Sequence, residues 1–211
     1  KHPHGFGGEV ATNIGIKFSK GEYVAKMDSD DISAENRIEK EVDFLENHKD
    51  IFLVGSQAWV INKRGKIIGK RNNPCDHKSI AQNMFLKNCI VHPSVMFRNE
   101  FANSDFYKIE FVSHNDYNTW FFYLTNGKKF SNLPDYLVYY RVHGTNETYK
   151  DIKVKFKNND LMRKKYEKFL FVPKKIKIIL GIQRFFVYML PEAVTSKLSV
   201  FYHLINNFLI H

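Results

Sequence analysis

The segment Glu22-Tyr23-Val24-Ala25-Lys26-Met27-Asp28-Ser29-Asp30-Asp31 decides how the rest of the chain is read. A short run of strand composition, with Tyr23, Val24 and Met27, follows the turn residue Gly21 and ends in three carboxylates within four residues. The next residues, Ile32-Ser33-Ala34-Glu35-Asn36, read as a loop entering a helix. This order predicts the acidic cluster at the carboxyl end of a strand, where open α/β sheets bind their ligands. Carboxylates this close repel one another and resist joint ionisation unless a positive group is bound. Hard oxygen donors at that density suit Mg²⁺ or Mn²⁺, and the natural companion of such an ion is a diphosphate.

Other readings of the cluster compete. An acidic triplet is often a solvated turn. An EF-hand loop would take Asp28, Asp30 and Glu39 at its first, third and twelfth positions, but Ile32 fills the fifth and Ser33 the sixth, where the sharp turn needs Gly. That option is excluded. A phosphate-ester hydrolase using Asp28 as nucleophile and Asp30 as acid is left open by the cluster alone.

The 211 residues suit one domain with an appendage, and a composition 44% hydrophobic with 19 Phe and 11 Tyr supplies a large core and argues against disorder. Cys75 and Cys89 form no disulfide framework and no metal spacing, which points to reduced, cytosol-facing thiols. No signal peptide is legible and no uncharged apolar run reaches spanning length. The net charge of +10 is uneven. From Lys150 to Lys177 eleven Lys and Arg stand against Asp151, Asp160 and Glu167, while the remainder is nearly neutral. A basic tail on a balanced domain points to an anionic partner of the tail alone.

In chain order, Glu9–Phe18 predicts a helix, and Ser33 is the expected N-cap of a second whose apolar face is Ile38, Val42 and Leu45. Residues 51–54 predict a buried strand stopped by Gly55, and Asn62-Lys63-Arg64-Gly65 a hairpin turn. Residues 77–86 predict a short helix with Ile80, Met84 and Phe85 inward, and residues 89–97 a strand kinked at Pro93. Residues 99–115 read as irregular. Asp116 opens a helix with Tyr117, Trp120, Phe121 and Leu124 on its apolar face and Gly127 at its end. Residues 130–133 and 137–140 predict two short strands around Pro134, and helices follow beyond Lys150.

Four separated pieces, ATNIGIKFSKGEYVAKMDSDDISAENRIEKEVDFLE, IFLVGS, HPSVMFR and HNDYNTWFFYLTNGKKFSNLPDYLVYYRVH, together resemble the family 2 glycosyltransferases of GT-A fold, over roughly residues 9–148. The resemblance implies an α/β fold, a mixed sheet with flanking helices, to which a C-terminal helical tail is added. It implies a partial catalytic domain over residues 1–149; residues 150–211 fall outside the resemblance and read, by their charge and apolar pattern, as a basic, amphipathic helical tail. Family members begin with further strand–helix units bearing the nucleotide-base contacts; with none legible before Lys1, a fragment is expected.

The resemblance also assigns roles. Asp28 and Asp30 match the DxD motif, with Asp31 the Asp that commonly follows it; in the family these bind a divalent cation, Mn²⁺ or Mg²⁺, and the ribose-diphosphate of a nucleotide sugar. Asn13 matches a position lining the donor pocket, its alternative being an ordinary helix residue. Arg37 matches an Arg able to touch phosphate, its alternative being a surface salt bridge with Glu41. Asp116 matches the catalytic base that takes the acceptor's proton in an inverting transfer, its alternative being an N-cap. The family usually has Glu-Asp there, where this chain has Asn115-Asp116. His143 matches a His that could complete the metal's shell. His92 lies near the sugar pocket by the same resemblance, with a structural role favoured, and Trp120 reads as core.

The expected activity is therefore metal-dependent, inverting sugar transfer from a nucleotide-sugar donor to a glycan or lipid-linked acceptor. The alternatives are the phosphate-ester hydrolase and a non-catalytic relic that binds membrane or polyanion. In the tail, residues 174–190 and 198–210 are apolar with basic edges, which suits an in-plane helix on an anionic membrane surface, with packing onto the catalytic domain as the alternative. Nucleic acid is disfavoured because no recognised module accompanies the charge. The expected place of work is the cytoplasm, at the membrane's inner face.

Overall fold

The computed structural model describes residues 7–101, 103–111, 114–142 and 152–189. The chain divides into two compact units, residues 1–144 and 145–211.

The first unit is built on a mixed six-stranded sheet. Its elements are helix α1 (Gly7–Phe18), strands β1 (Tyr23–Ala25) and β2 (Ile32–Ser33), helix α2 (Arg37–Asn47), strands β3 (Ile51–Ile61) and β4 (Ile67–Arg71), helix α3 (His77–Asn83), a single 3₁₀ turn (His92–Ser94), strand β5 (Met96–Arg98), helix α4 (Asn115–Thr125) and strand β6 (Lys129–Arg141). The strand order is β1-β5-β3-β6-β2, with β4 also pairing β3. The long pair β3 and β6 runs parallel, and every other pair is antiparallel. Leu45, Ile51, Val54, Met96, Leu133 and Leu137 form one apolar cluster against the sheet. On the other side an aromatic cluster links Phe52, Phe97, Phe101, Phe106, Tyr123 and Phe130, with Phe97 and Phe106 stacked at 3.8 Å. Trp120 is fully buried among these rings, as expected of core.

Several elements differ from expectation for identifiable reasons. Ser33 does not cap α2; it is taken into β2, paired with Val138, and the helix begins after Asn36 without a side-chain cap. The inward face of α2 carries Arg37, Glu41 and Leu45, whereas Ile38 is 49% exposed. An apolar-periodicity reading misses a helix whose buried stripe is partly an internal ion pair. β3 does not stop at Gly55 but runs on to Ile61, and residues 130–140 form one strand rather than two. The β3–β6 register slips between Ser56 and Ala58, opposite Pro134 and Asp135, so the proline that suggested a break is accommodated as a bulge. The buried Gln57 amide closes that defect. Its Nε2 donates to Asn73 O (3.0 Å) and Leu133 O (3.3 Å), and its Oε1 accepts from Asn73 N–H (2.7 Å).

Gly55 is required by close approach. A Cβ there would lie 2.6 Å from Asn132 Oδ1 and 3.3 Å from Ser94 Oγ. Asn132 cannot swing aside, because its Nδ2 donates to Pro74 O and Cys89 O. Gly55→Ala is expected to cost about 1–3 kcal/mol in chemical denaturation. Gly69→Ala, whose Cβ would meet only Val60 at 3.8 Å, serves as the control with little change.

In the second unit, helices α5 (Ile152–Tyr166) and α6 (Lys174–Met189) pack through Asp160, which is 1% exposed and receives Arg184 Nε and Lys164 Nζ. Tyr188 approaches the same carboxylate through its hydroxyl (3.4 Å) and Phe156 through its ring.

Candidate active site

The acidic stretch emerges at the carboxyl end of β1, as its composition predicts. Lys26 N–H still bonds to Val95 O (2.8 Å), and the chain then turns, with Asp31 N–H reaching Asp28 O (3.3 Å). This exit is braced from behind by Arg37. Its guanidinium donates to Glu41 Oε1 (2.9 Å), Lys26 O (2.9 Å), Val95 O (3.4 Å) and Met27 Sδ (3.3 Å). At 1% exposure, beside a Glu41 that is 0% exposed, Arg37 is enclosed, and the surface pair foreseen for these two residues is in fact internal. The geometry makes Arg37 a support of the turn, not a group facing solvent where a phosphate would bind.

Arg141, the last residue of β6, ties the turn to the sheet. Its backbone N–H donates to Asp31 Oδ1 (2.7 Å), its Nε to Asp30 O (2.7 Å) and its Nη1 to Asn62 O (3.1 Å). The second Asp31 oxygen is buried without a hydrogen-bond partner. Burial is the main reason the Asp31 carboxyl is pushed up to about 6, with Asp30 and Asp28 adding repulsion and Arg141 N–H opposing it. Asp28 is half-exposed and paired with the Lys26 ammonium, which also donates to Met27 O (3.0 Å). Asp30 is exposed.

Asp116 lies in the first turn of α4, where a carboxylate complements the helix dipole. It is not the N-cap: that position is His114, in the left-handed conformation at φ 60°. Asp116 Oδ2 accepts from Asn88 Nδ2 (2.9 Å), and Asn88 Oδ1 in turn accepts from Ile90 N–H (3.1 Å). Beside it, Asn115 is fully buried; its Oδ1 accepts from Glu110 and Phe111 N–H and its Nδ2 donates to Phe111 O. A carboxylate could accept those two bonds but not donate the third, which accounts locally for an amide where the family usually has Glu.

His92 and Tyr107 stand where the two sides meet. His92 Nε2 and Tyr107 OH share a hydrogen bond of 2.7 Å. Burial holds the His92 imidazole below its usual range, against the pull of Asp116 and Asp28. Burial likewise drives the Tyr107 hydroxyl well above its usual range, with Asp116 and Asp28 adding to it. Both rings are thus neutral near pH 7. The charges of Asp28 and Asp116, 88 positions apart in sequence, are both felt by this pair, secondary to its burial.

Asn13 belongs to this arrangement indirectly. Its Nδ2 donates to Tyr107 O (3.0 Å) and its Oδ1 accepts from Tyr107 N–H (2.8 Å), a two-way latch from α1 onto the irregular stretch. The same stretch is held by α4, through Lys108 N–H to Thr119 Oγ1 and Asn118 Nδ2 to Lys108 O. A cleft of about 330 Å³ opens beside Tyr107, between Thr12, Gly15 and Ile16 of α1 and the Val24–Met27 strand end. Thus Asp28, Asp30 and Asp31 share the turn after β1, which Arg37 braces; Asp116 stands in the first turn of α4; Asn13 holds Tyr107; and His143 lies outside the described residues. Sequence reasoning missed Tyr107, Lys26, Asn88 and Arg141. Only Lys26 carried a signal, as the one basic residue directly before the acidic turn.

Among the described residues no group of three or more His, Cys, Asp or Glu side chains converges as a ready-made metal cage. Asp28 and Asp30 do supply hard oxygens at a turn where like charges crowd the partly buried Asp31. Mg²⁺ is typically held by one or two carboxylates with the remaining positions left to phosphate and water. The residues fit that mode.

The family model for glycosyl transferase family 2 matches residues 1–106. The chain is 32% identical over 128 residues to the amylovoran biosynthesis glycosyltransferase AmsE of Erwinia amylovora, covering 61% of this chain and 48% of that protein. It is 30% identical over 139 residues to the UDP-Glc:alpha-D-GlcNAc-diphosphoundecaprenol beta-1,3-glucosyltransferase WfaP of Escherichia coli, covering 65% and 52%. Among solved structures, S. aureus TarS 1-349 in complex with UDP superposes with a TM-score of 0.51 at 16% identity, covering 80% of this chain and 47% of that one. The mixed sheet with its flanking helices is the GT-A type. The protein belongs to glycosyl transferase family 2. It spans about half the length of the curated relatives it matches.

Proposed function

We propose that this protein takes part in a metal-dependent, inverting transfer of a sugar from a nucleotide-sugar donor to a hydroxyl of a glycan or lipid-linked acceptor, at a membrane surface reached through residues 150–211. One observation carries the reading. Lys26 and Met27, directly before the acidic turn, line one cleft with Tyr107, whose hydroxyl meets His92 Nε2, and the charges of both Asp28 and Asp116 act on that pair. One side can hold the departing diphosphate while the other receives a proton. The relatives agree in kind, since AmsE is named for amylovoran biosynthesis and WfaP for glucose transfer from UDP-Glc to a diphosphoundecaprenol-linked sugar.

In the proposed reaction Asp116 accepts the proton of the acceptor hydroxyl as its oxygen attacks the anomeric carbon. The bond from that carbon to the phosphate oxygen breaks, and the electron pair leaves with the nucleoside diphosphate. Asp28 and Asp30 would hold Mn²⁺ or Mg²⁺, which when bound supplies charge stabilisation to the leaving diphosphate, with Asp31 beside them on the donor side. Arg37 and Arg141 keep the turn in place, and Asn13 keeps Tyr107 in place. Asn88 orients the Asp116 carboxylate. Membership of the transferase family leaves the phosphate-ester hydrolase with no observation in its favour.

Calorimetric titration with a UDP-sugar tests the donor side. Heat of binding is expected in the presence of Mn²⁺, at least about tenfold weaker in EDTA and equally weak in Asp28→Asn/Asp30→Asn. Affinity that ignores both metal and substitution would overturn the metal assignment. Silence under all conditions would favour a chain that does not bind the donor by itself.

A further inference from the structure

The second unit carries a surface that the proposed transfer chemistry does not use. Helix α6 turns Ile176 (7% exposed) and Leu180 (2%) inward, and Arg184 toward Asp160. Its opposite face bears Ile178 (63%), Ile182 (53%), Phe185 (61%) and Met189 (70%). The spacing of these four, i, i+4, i+7 and i+11, draws one continuous apolar stripe along the helix. At 100° per residue Lys174 and Lys175 fall on the two borders of that stripe. Exposed Phe169 and Phe171 precede the helix, with Lys168 beside them. Over residues 152–189 eleven Lys and Arg stand against two carboxylates, Asp160 and Glu167.

From this geometry we infer that the Ile178–Met189 face of α6 lies in the plane of an anionic lipid bilayer, with its apolar stripe below the headgroups and Lys174 and Lys175 at phosphate level. Among the described residues no helix is long and apolar enough to cross a membrane, so the contact is in-plane. Charge selects lipid over a second copy. Two copies meeting face to face would bring together two units each dense in positive charge, whereas an anionic surface attracts each lysine by roughly 1 kcal/mol. The inference deepens the proposed meeting with a membrane-borne acceptor and rests on that reading only for its biological use.

Flotation of the full chain with vesicles of phosphatidylcholine, alone or mixed with phosphatidylglycerol, tests it. The protein is expected to float with the mixed vesicles, less so at high salt, and to stay behind with phosphatidylcholine alone. Lys174→Gln/Lys175→Gln and Ile182→Ser/Phe185→Ser should each reduce the bound fraction at least about tenfold, with an unchanged circular-dichroism spectrum. Wild-type protein that does not float, or variants that float equally well, would overturn the inference. So would a dimer in light scattering that Ile182→Ser/Phe185→Ser dissolves, since the stripe would then be a contact between copies. UDP-sugar calorimetry on the same samples separates the two readings. Absent flotation with intact donor binding overturns the lipid face alone, and absent donor binding with intact flotation leaves the lipid face standing and counts only against donor binding by this chain.

Discussion

Asp116→Asn will reduce sugar transfer by about 10³-fold, within the range associated with loss of a positioned general base. The fold will survive. The asparagine side chain still offers an oxygen to Asn88 Nδ2, which now bonds Asp116 at 2.9 Å, and it keeps the shape of the first turn of α4. Donor affinity should also survive, because the diphosphate is proposed to sit on the Asp28–Asp31 side. The measurement is nucleoside diphosphate release with and without acceptor, paired with calorimetry of donor binding. Turnover within roughly tenfold of wild type would remove Asp116 from the role of base. A parallel loss of donor binding would instead place Asp116 in the donor site.

The second large effect is on stability. In denaturant unfolding above neutral pH, where both partners are charged, Glu41→Ala should cost about 3–5 kcal/mol, because it strands the Arg37 guanidinium at 1% exposure without its counter-charge. Arginine cannot respond by losing its proton. The three groups that would remain around it are all uncharged: two carbonyl oxygens and a thioether. Glu41→Gln, which keeps an acceptor but not the charge, should fall between. Burial pushes the Glu41 carboxyl up to about 7, with Arg37 opposing. The folded state thus holds a proton that the unfolded chain releases near 4.5, so this group's contribution to stability declines as pH rises from about 4.5 through about 7. The Gln variant should lack that slope. An Ala variant as stable as wild type would mean that Arg37 finds water or another partner.

Much of this is legible in the sequence itself. The Gly21 turn, the Tyr23–Met27 run and the carboxylates after it specify a strand tip by composition alone, and the tip is where they lie. The α4 core face was equally readable, since Tyr117, Trp120, Phe121 and Leu124 repeat at helical spacing and all are buried. Local rules failed where long-range contacts decide. Gly55 reads as a strand end but exists to admit Asn132, and Pro134 reads as a break but is absorbed by a bulge that Gln57 seals. Arg37 and Glu41 have the i,i+4 spacing of a surface pair, and nothing in the spacing says that the pair is turned inward. Tyr107 sits in a stretch with no periodicity, and its ties to His92 and Asn13 span 15 and 94 positions.

Arg141 has a further consequence. Through one residue, an interior strand of the sheet grips a carboxylate, a carbonyl of the acidic turn and the hairpin carbonyl of Asn62. The turn can shift only if the sheet shifts with it. Its oxygens are therefore preorganised, and a ligand arriving there loses little free energy to ordering the protein.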